Sequence, residues 1–275
     1  MSFEAFETSR SRGAPDTLYK FTFQSKIFAY TDAEQPITFG GVDYLPVPIR
    51  RGSLSSSGTL DKSTLTLNMP HNTDVVELFR VHPPSDIVNL TIFQGHHEDP
   101  ENQFLAVWTG RVLSCPREKT EASVVCEPVS TSMRRPGLRR RYQYGCPHAL
   151  YGPQCGVDRT AFTVTALVTS ASGATIDLPN GWNGSFDSAK FVGGLAEWTV
   201  DDVTELRTIL RVNAADRRIT VSGRVSGLAF GQTVKLSLGC NHLMSGCNVF
   251  ANIHNFGGQP WIPKKNPVGF VNQYY

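Results

Sequence analysis

No stretch of this 275-residue chain approaches the ~18 consecutive apolar positions of a membrane-spanning helix. The opening Met1-Ser-Phe-Glu-Ala-Phe-Glu7 lacks the basic start and apolar core of a secretion signal, so folding in a reducing cytosol is expected. Charge is sparse, at 18% of residues with a net +2, which excludes a strong electrostatic hold on nucleic acid by the molecule as a whole. The chain has no Gly-x-Ser-x-Gly elbow, no His-Glu-x-x-His helix, no phosphate-binding glycine loop and no dinucleotide fingerprint. Those absences remove the usual anchors for esterase, metalloprotease, kinase and dehydrogenase chemistry. No catalytic residue is assigned, and the chain reads as a non-enzyme. Internal repeats and low-complexity segments are also missing.

Where the sequence speaks clearly, it says β. Tyr19, Phe21 and Phe23 alternate with polar residues, and Ile37–Tyr44 reads as a hairpin about Gly40-Gly41. Leu65, Leu67 and Met69 alternate until Pro70 ends the strand. Val88, Leu90 and Ile92 give another strand, and 107–114 pairs with 122–125 around a turn at 116–121. One short helix is predicted over Asn72–Arg80, with Val75, Val76 and Phe79 on its buried side. Strand patterns resume at 162–168, 175–178, 206–212, 219–221 and 234–238, with Asn180–Gly184 and Phe230-Gly231 as turns. The class is thus mainly β: an N-terminal β-barrel or sandwich domain, plus a second β domain inserted between two cysteine loops. The boundaries are 1–142, ending in an Arg-rich linker, 143–160 for the first loop, 161–238 for the inserted domain, and 239–275 for the second loop and tail.

Six cysteines fall into two sets. Cys115 and Cys126 end and begin the arms of one hairpin; they read as core residues that could also pair under oxidation. Cys146 and Cys155, then Cys240 and Cys247, sit in two loops rich in turn-forming residues. Clustered thiols in a reducing compartment suit a soft or borderline metal. The spacings, Cys-x8-Cys and Cys-x6-Cys, are wider than the roughly two to four residues of structural zinc pairs. That favours an iron–sulfur centre, with zinc or two disulfides as alternatives. His148 and His242 lie inside the loops and read as turn residues able to replace a thiolate. In Asn255–Pro263, Gly257 and Gly258 permit close backbone approach, while Phe256 and Trp261 are expected to shield a centre. Five arginines between Arg134 and Arg141 read as a solvated linker or subunit contact, with phosphate binding as the rival. Lys264, Lys265, Tyr274 and Tyr275 are candidate anchors on a neighbouring subunit.

The segment Leu-Arg-Arg-Arg-Tyr-Gln-Tyr-Gly-Cys-Pro-His-Ala-Leu-Tyr-Gly-Pro-Gln-Cys-Gly-Val (138–157) resembles a family of tailed-phage proteins. So does Cys-Asn-His-Leu-Met-Ser-Gly-Cys-Asn-Val-Phe-Ala-Asn-Ile-His-Asn-Phe-Gly-Gly-Gln-Pro-Trp-Ile-Pro (240–263). These are the tail-tip, or baseplate hub, proteins of siphophages and gene transfer agents, similar to the lambda tail tip protein L. Asp43-Tyr-Leu-Pro-Val-Pro-Ile-Arg-Arg51 and Val88-Asn-Leu-Thr-Ile-Phe93 carry the likeness into the N-terminal half. The resemblance implies a structural subunit of the virion tail tip, made in the host cytoplasm. It implies a homotrimer between a distal tail protein and a central fibre or host-recognition protein. It also implies a [4Fe–4S] cluster on Cys146, Cys155, Cys240 and Cys247. DNA would pass through the channel of such a hub without specific binding. The inserted domain is expected to be individual to this chain. The competing functions are a zinc-dependent nucleic-acid-binding module and a hub-associated cell-wall-degrading or redox enzyme.

Overall fold

The computed structural model describes all residues except 1, 10–12, 54–63, 82, 98, 135–136, 138–140, 216, 226 and 264–275, and leaves out the side chains of 2 and 132–134. The anticipated anchors Lys264, Lys265, Tyr274 and Tyr275 therefore lie outside the described residues, as do Arg135, Arg139, Arg140 and the side chain of Arg134. Arg141, the remaining member of the basic run, is exposed. The chain divides into two compact units, Met1–Pro136 and Gly137–Tyr275.

A short helix, α1 (Ser2–Glu7), precedes the sheet of the first unit. Its strands are β1 (Pro15–Phe23), β2 (Lys26–Thr31), β3 (Ile37–Phe39), β4 (Val42–Pro46), β5 (Arg50–Arg51), β6 (Leu65–Pro70), β7 (Asn89–His96), β8 (Leu105–Ser114), β9 (Arg117–Glu118) and β10 (Glu121–Pro128). They run in the order β3-β4-β2-β1-β7-β8-β10-β6-β5, with β9 beside β10. The path ends on two short edge strands, so the sheet is open and sandwich-like; the described strands do not close into a barrel. Alternation sets which face is buried: Leu65, Leu67 and Met69 of β6 point inward, as do Leu90 and Ile92 of β7. The β3–β4 hairpin turns through Gly40 and Gly41 at φ of 60° and 75°, the left-handed pair such a turn requires. The predicted helix over 72–80 is shorter, α2 spanning Asp74–Glu77, and its end tightens into i→i+3 bonds, Phe79 N–H to the Val76 carbonyl and Arg80 N–H to the Glu77 carbonyl. Val75 and Val76 are buried; Phe79 is only half-buried.

Cys126 is fully buried, whereas Cys115 lies half-buried just past the end of β8. The ladder sets Cys126 opposite Val112, beyond a bulge that follows the Val125–Ser114 pair. The two cysteines are thus not ladder partners, and both are free thiols.

The second unit is also β: β11 (Thr163–Leu167), β12 (Ser170–Ser172), β13 (Thr175–Asp177), β14 (Leu195–Val200), β15 (Val203–Asn213), β16 (Arg218–Val221) and β17 (Thr233–Ser237). Their order is β11-β17-β14-β15-β16-β13-β12, all antiparallel. Ile176, Phe191, Trp198, Ile209 and Leu236 form its core, and Leu150, Tyr151, Val157 and Cys240 from the cysteine loops pack against it. β14 is central yet was not legible in the sequence, since only Ala196 and Trp198 carry its inward alternation. Gly194 and Gly239 interlock here. A Cβ on Gly239 would overlap the Val192 carbonyl and lie 2.6 Å from Gly194 N. Among the described residues, no helix is long and apolar enough to cross a membrane.

Candidate thiolate centre

Within the second unit, the chain leaves β17 through Gly239 and turns at His242, whose φ of 59° is left-handed. It then forms the short helix α3 (Met244–Val249). The His242 turn aims its N–H back at Cys240 Sγ, 3.3 Å away. The residues that follow fold over the first loop. Gly257 N–H donates to Cys146 Sγ at 3.4 Å, and the Asn252 side-chain amide donates to the Cys155 carbonyl at 2.6 Å and approaches Cys155 Sγ at 3.8 Å. Three of the four sulfurs thus receive N–H groups, the contacts that stabilise a thiolate and tune a bound metal.

The loops are stitched together by backbone. Cys146 N–H donates to the His242 carbonyl at 2.7 Å, and Gln259 N–H to the Gln143 carbonyl at 2.8 Å. Each histidine adds a cross-loop bond: His148 Nδ1 donates to the Asn255 carbonyl and His242 Nδ1 to the Cys146 carbonyl, both at 3.1 Å. A carbonyl can only accept, so each ring carries its proton on Nδ1 and serves to hold the opposite loop. Gly257 packs directly on the His148 ring; a Cβ there would lie 2.5 Å from Cε1. Gly258 sits as tightly on the Tyr144 carbonyl, whose oxygen would lie 2.6 Å from an added Cβ. The close approach anticipated for the two glycines is realised.

Cys146, Cys155, Cys240 and Cys247 line one small cavity of about 20 Å³, walled by Leu150, Val157, Leu243 and Phe250. Burial pushes the Cys240 and Cys247 thiols above the ordinary thiol range, and the neighbouring sulfurs add to the shift. On Cys240 the His242 N–H pulls the other way. Such crowded thiols give up their protons readily only to a positive centre. No group of three or more His, Cys, Asp or Glu among the described residues forms a site for a metal ion, so the four sulfurs do not make a compact single-ion shell.

One expectation about the surroundings changes. Trp261 is 89% exposed and shields nothing; the walls come from Phe250 and the aliphatic side chains instead. Asn252, not singled out by the sequence, is 6% exposed and touches both Cys155 and Cys247. Nothing in its local pattern marks it, because its importance comes from contact with a loop distant in sequence. Tyr151 was likewise missed; its hydroxyl donates to the Leu238 carbonyl at 2.7 Å, tying the first loop to the end of β17.

Over residues 14–158 the chain matches the family model "baseplate hub protein, N-terminal attachment domain", and over 189–266 that of "phage conserved hypothetical protein BR0599". Each match contains one of the two cysteine pairs. Comparison with curated proteins gives no match. Among solved structures, a chain of the "virion of native gene transfer agent (GTA) particle" superposes with a TM-score of 0.83 at 17% identity, covering 100% of this chain and 97% of that one. The second β domain is therefore shared with that fold, and the expectation that it is individual to this chain does not hold. Over more than half of its length, this tail-associated virion protein is a match to one family, and the chain belongs to the baseplate hub proteins with an N-terminal attachment domain.

Proposed function

We propose that the chain is a non-enzymatic hub subunit of the tail tip, a homotrimer seated between a distal tail protein and the central fibre or host-recognition protein. In this reading Cys146, Cys155, Cys240 and Cys247 hold a [4Fe–4S] cluster that clamps the two loops. The observation that carries it is the convergence of two cysteine pairs, from either side of a seven-stranded sheet, on one apolar-walled cavity. N–H groups directed at three sulfurs support thiolate ligation. When bound, the cluster supplies a four-point covalent tie, and its binding energy adds to folding stability because the site does not exist in the unfolded chain.

Anaerobically purified protein is expected to be brown, with broad absorption near ~400 nm, and to release sulfide on acidification. Colourless protein with one equivalent of zinc refutes the cluster. Imaging of intact particles tests the hub role separately, with threefold density at the tail tip expected and density in shaft or capsid against it. Peptidoglycan zymograms should show no clearing, and duplex DNA should not retain the protein at physiological salt.

A further inference from the structure

Asn-Gly occurs twice in the chain, at Asn180-Gly181 and Asn183-Gly184, both in one turn of the second unit. The dipeptide is chemically special. Glycine has no side chain to shield its backbone nitrogen, which can reach the Cγ of the preceding asparagine and close a five-membered ring. That ring closure needs an unencumbered side-chain amide and a backbone N–H free to move.

The fold supplies both at one position and denies both at the other. Asn180 and Gly181 are exposed. Among the described residues, neither the Asn180 side chain nor the Gly181 N–H makes a hydrogen bond. No atom stands within 4 Å of where a Gly181 Cβ would be, so the approach is open. Asn183 is half-buried, and its side-chain amide donates to the Phe186 carbonyl. Gly184 N–H is committed to the Gly181 carbonyl at 3.1 Å, and Phe186 N–H to the Asn183 carbonyl at 3.1 Å. Trp182, between the two dipeptides, is 6% exposed and packs on Phe191 with ring centroids 4.9 Å apart, anchoring this half of the turn.

We propose that Asn180 is a self-modification site, converting to aspartate and isoaspartate, and that the fold holds Asn183 unreactive. The Gly181 nitrogen attacks Asn180 Cγ, the C–N bond of the side-chain amide breaks, and ammonia leaves carrying the proton lost from the Gly181 N–H. Water then opens the cyclic imide at either carbonyl. One opening restores the main chain with an aspartate; the other routes the backbone through the former side chain, as isoaspartate. No electron is gained or lost. Either product places a carboxylate on a turn where the amide was neutral.

The test is peptide mapping by mass spectrometry of the full chain, held at physiological temperature and mildly alkaline pH, with released ammonia assayed in parallel. Residue 180 should gain the mass of an amide-to-acid exchange and yield isoaspartate. Asn183 should convert about tenfold or more slowly, because two hydrogen bonds must open first. In guanidinium chloride the two sites should converge, since the protecting bonds are gone. Asn180→Gln, which would have to close a less favourable six-membered ring, should lose the fast release of ammonia. Equal rates at the two sites in the folded chain overturn the inference, as does a gap that persists in guanidinium chloride. Fast ammonia release from Asn180→Gln also overturns it, and so does a folded residue 180 that stays intact while the denatured chain converts.

Discussion

Gly257→Ala probes the contact on which the two loops close. The new Cβ would lie 2.5 Å from His148 Cε1 and 3.0 Å from Cδ2. Gly257 does not occupy the left-handed region, so the cost is steric rather than conformational. Relief requires the imidazole to swing aside, surrendering its 3.1 Å bond to the Asn255 carbonyl. Overpacking of this kind costs about 1–3 kcal/mol and a lost hydrogen bond about 1 more, giving about 2–4 kcal/mol in all. For a unit the size of Gly137–Tyr275, that corresponds to a fall in Tm of roughly 6–15 °C. Urea titration and calorimetry of the full chain measure it. The decisive control is Gly257→Ala with His148→Ala, which removes the ring that the methyl meets. The double variant should be more stable than the sum of the singles predicts, by about 1–2 kcal/mol. If Gly257→Ala stays within about 0.5 kcal/mol of wild type, or the two changes simply add, the steric argument fails.

Gly239→Ala should be more damaging than Gly257→Ala, because the added methyl meets the backbone of Val192 and Gly194 rather than a movable ring; soluble yield and urea midpoint compare them. Tyr151→Phe leaves the Leu238 carbonyl without its hydroxyl donor and should cost about 1–2 kcal/mol, read from the same midpoint. The Cys126 thiol is pushed up to about 12, mainly by burial and further by Cys115. Its folded value exceeds its unfolded one, so its contribution is full below pH 9 and drains as pH climbs toward 12. That contribution is on the order of 4 kcal/mol at most. Cys126→Ala should flatten this alkaline loss, while Tyr19, raised to about 12 chiefly by burial, keeps its own share above pH 10. Unchanged alkaline melting of Cys126→Ala counts against the assignment.

Strands carried by large side chains in strict alternation, such as Leu65-Thr-Leu-Asn-Met69, were legible because a period of two leaves few alternatives. β14 was not, since alanine does half the inward work there and the strand follows Gly193-Gly194. The cysteine pairs were visible one loop at a time. Spacing alone left zinc, iron–sulfur and disulfides open, because the ring of donors depends on which backbone amides meet which sulfur. Gly257 and Gly258 were readable as close-approach positions, since only glycine lacks the atom that would clash. The same logic failed for Trp261: an aromatic ring beside a site need not face it, and this one points to solvent. The surface arrangement of tryptophan is set by neighbours a local pattern does not name.

The pairing of Gln143 with Gln259 and of Cys146 with His242 brings the loop that enters the second β domain beside the one that leaves it. Tension applied along the chain from outside these residues is borne first across the stitch between the loops. The sheet between them hangs as a slack side branch, outside the load path, so long as the stitch holds. Mechanical strength at this point is set by a handful of cross-loop hydrogen bonds and whatever tie the four sulfurs provide, and not by the seven strands they enclose.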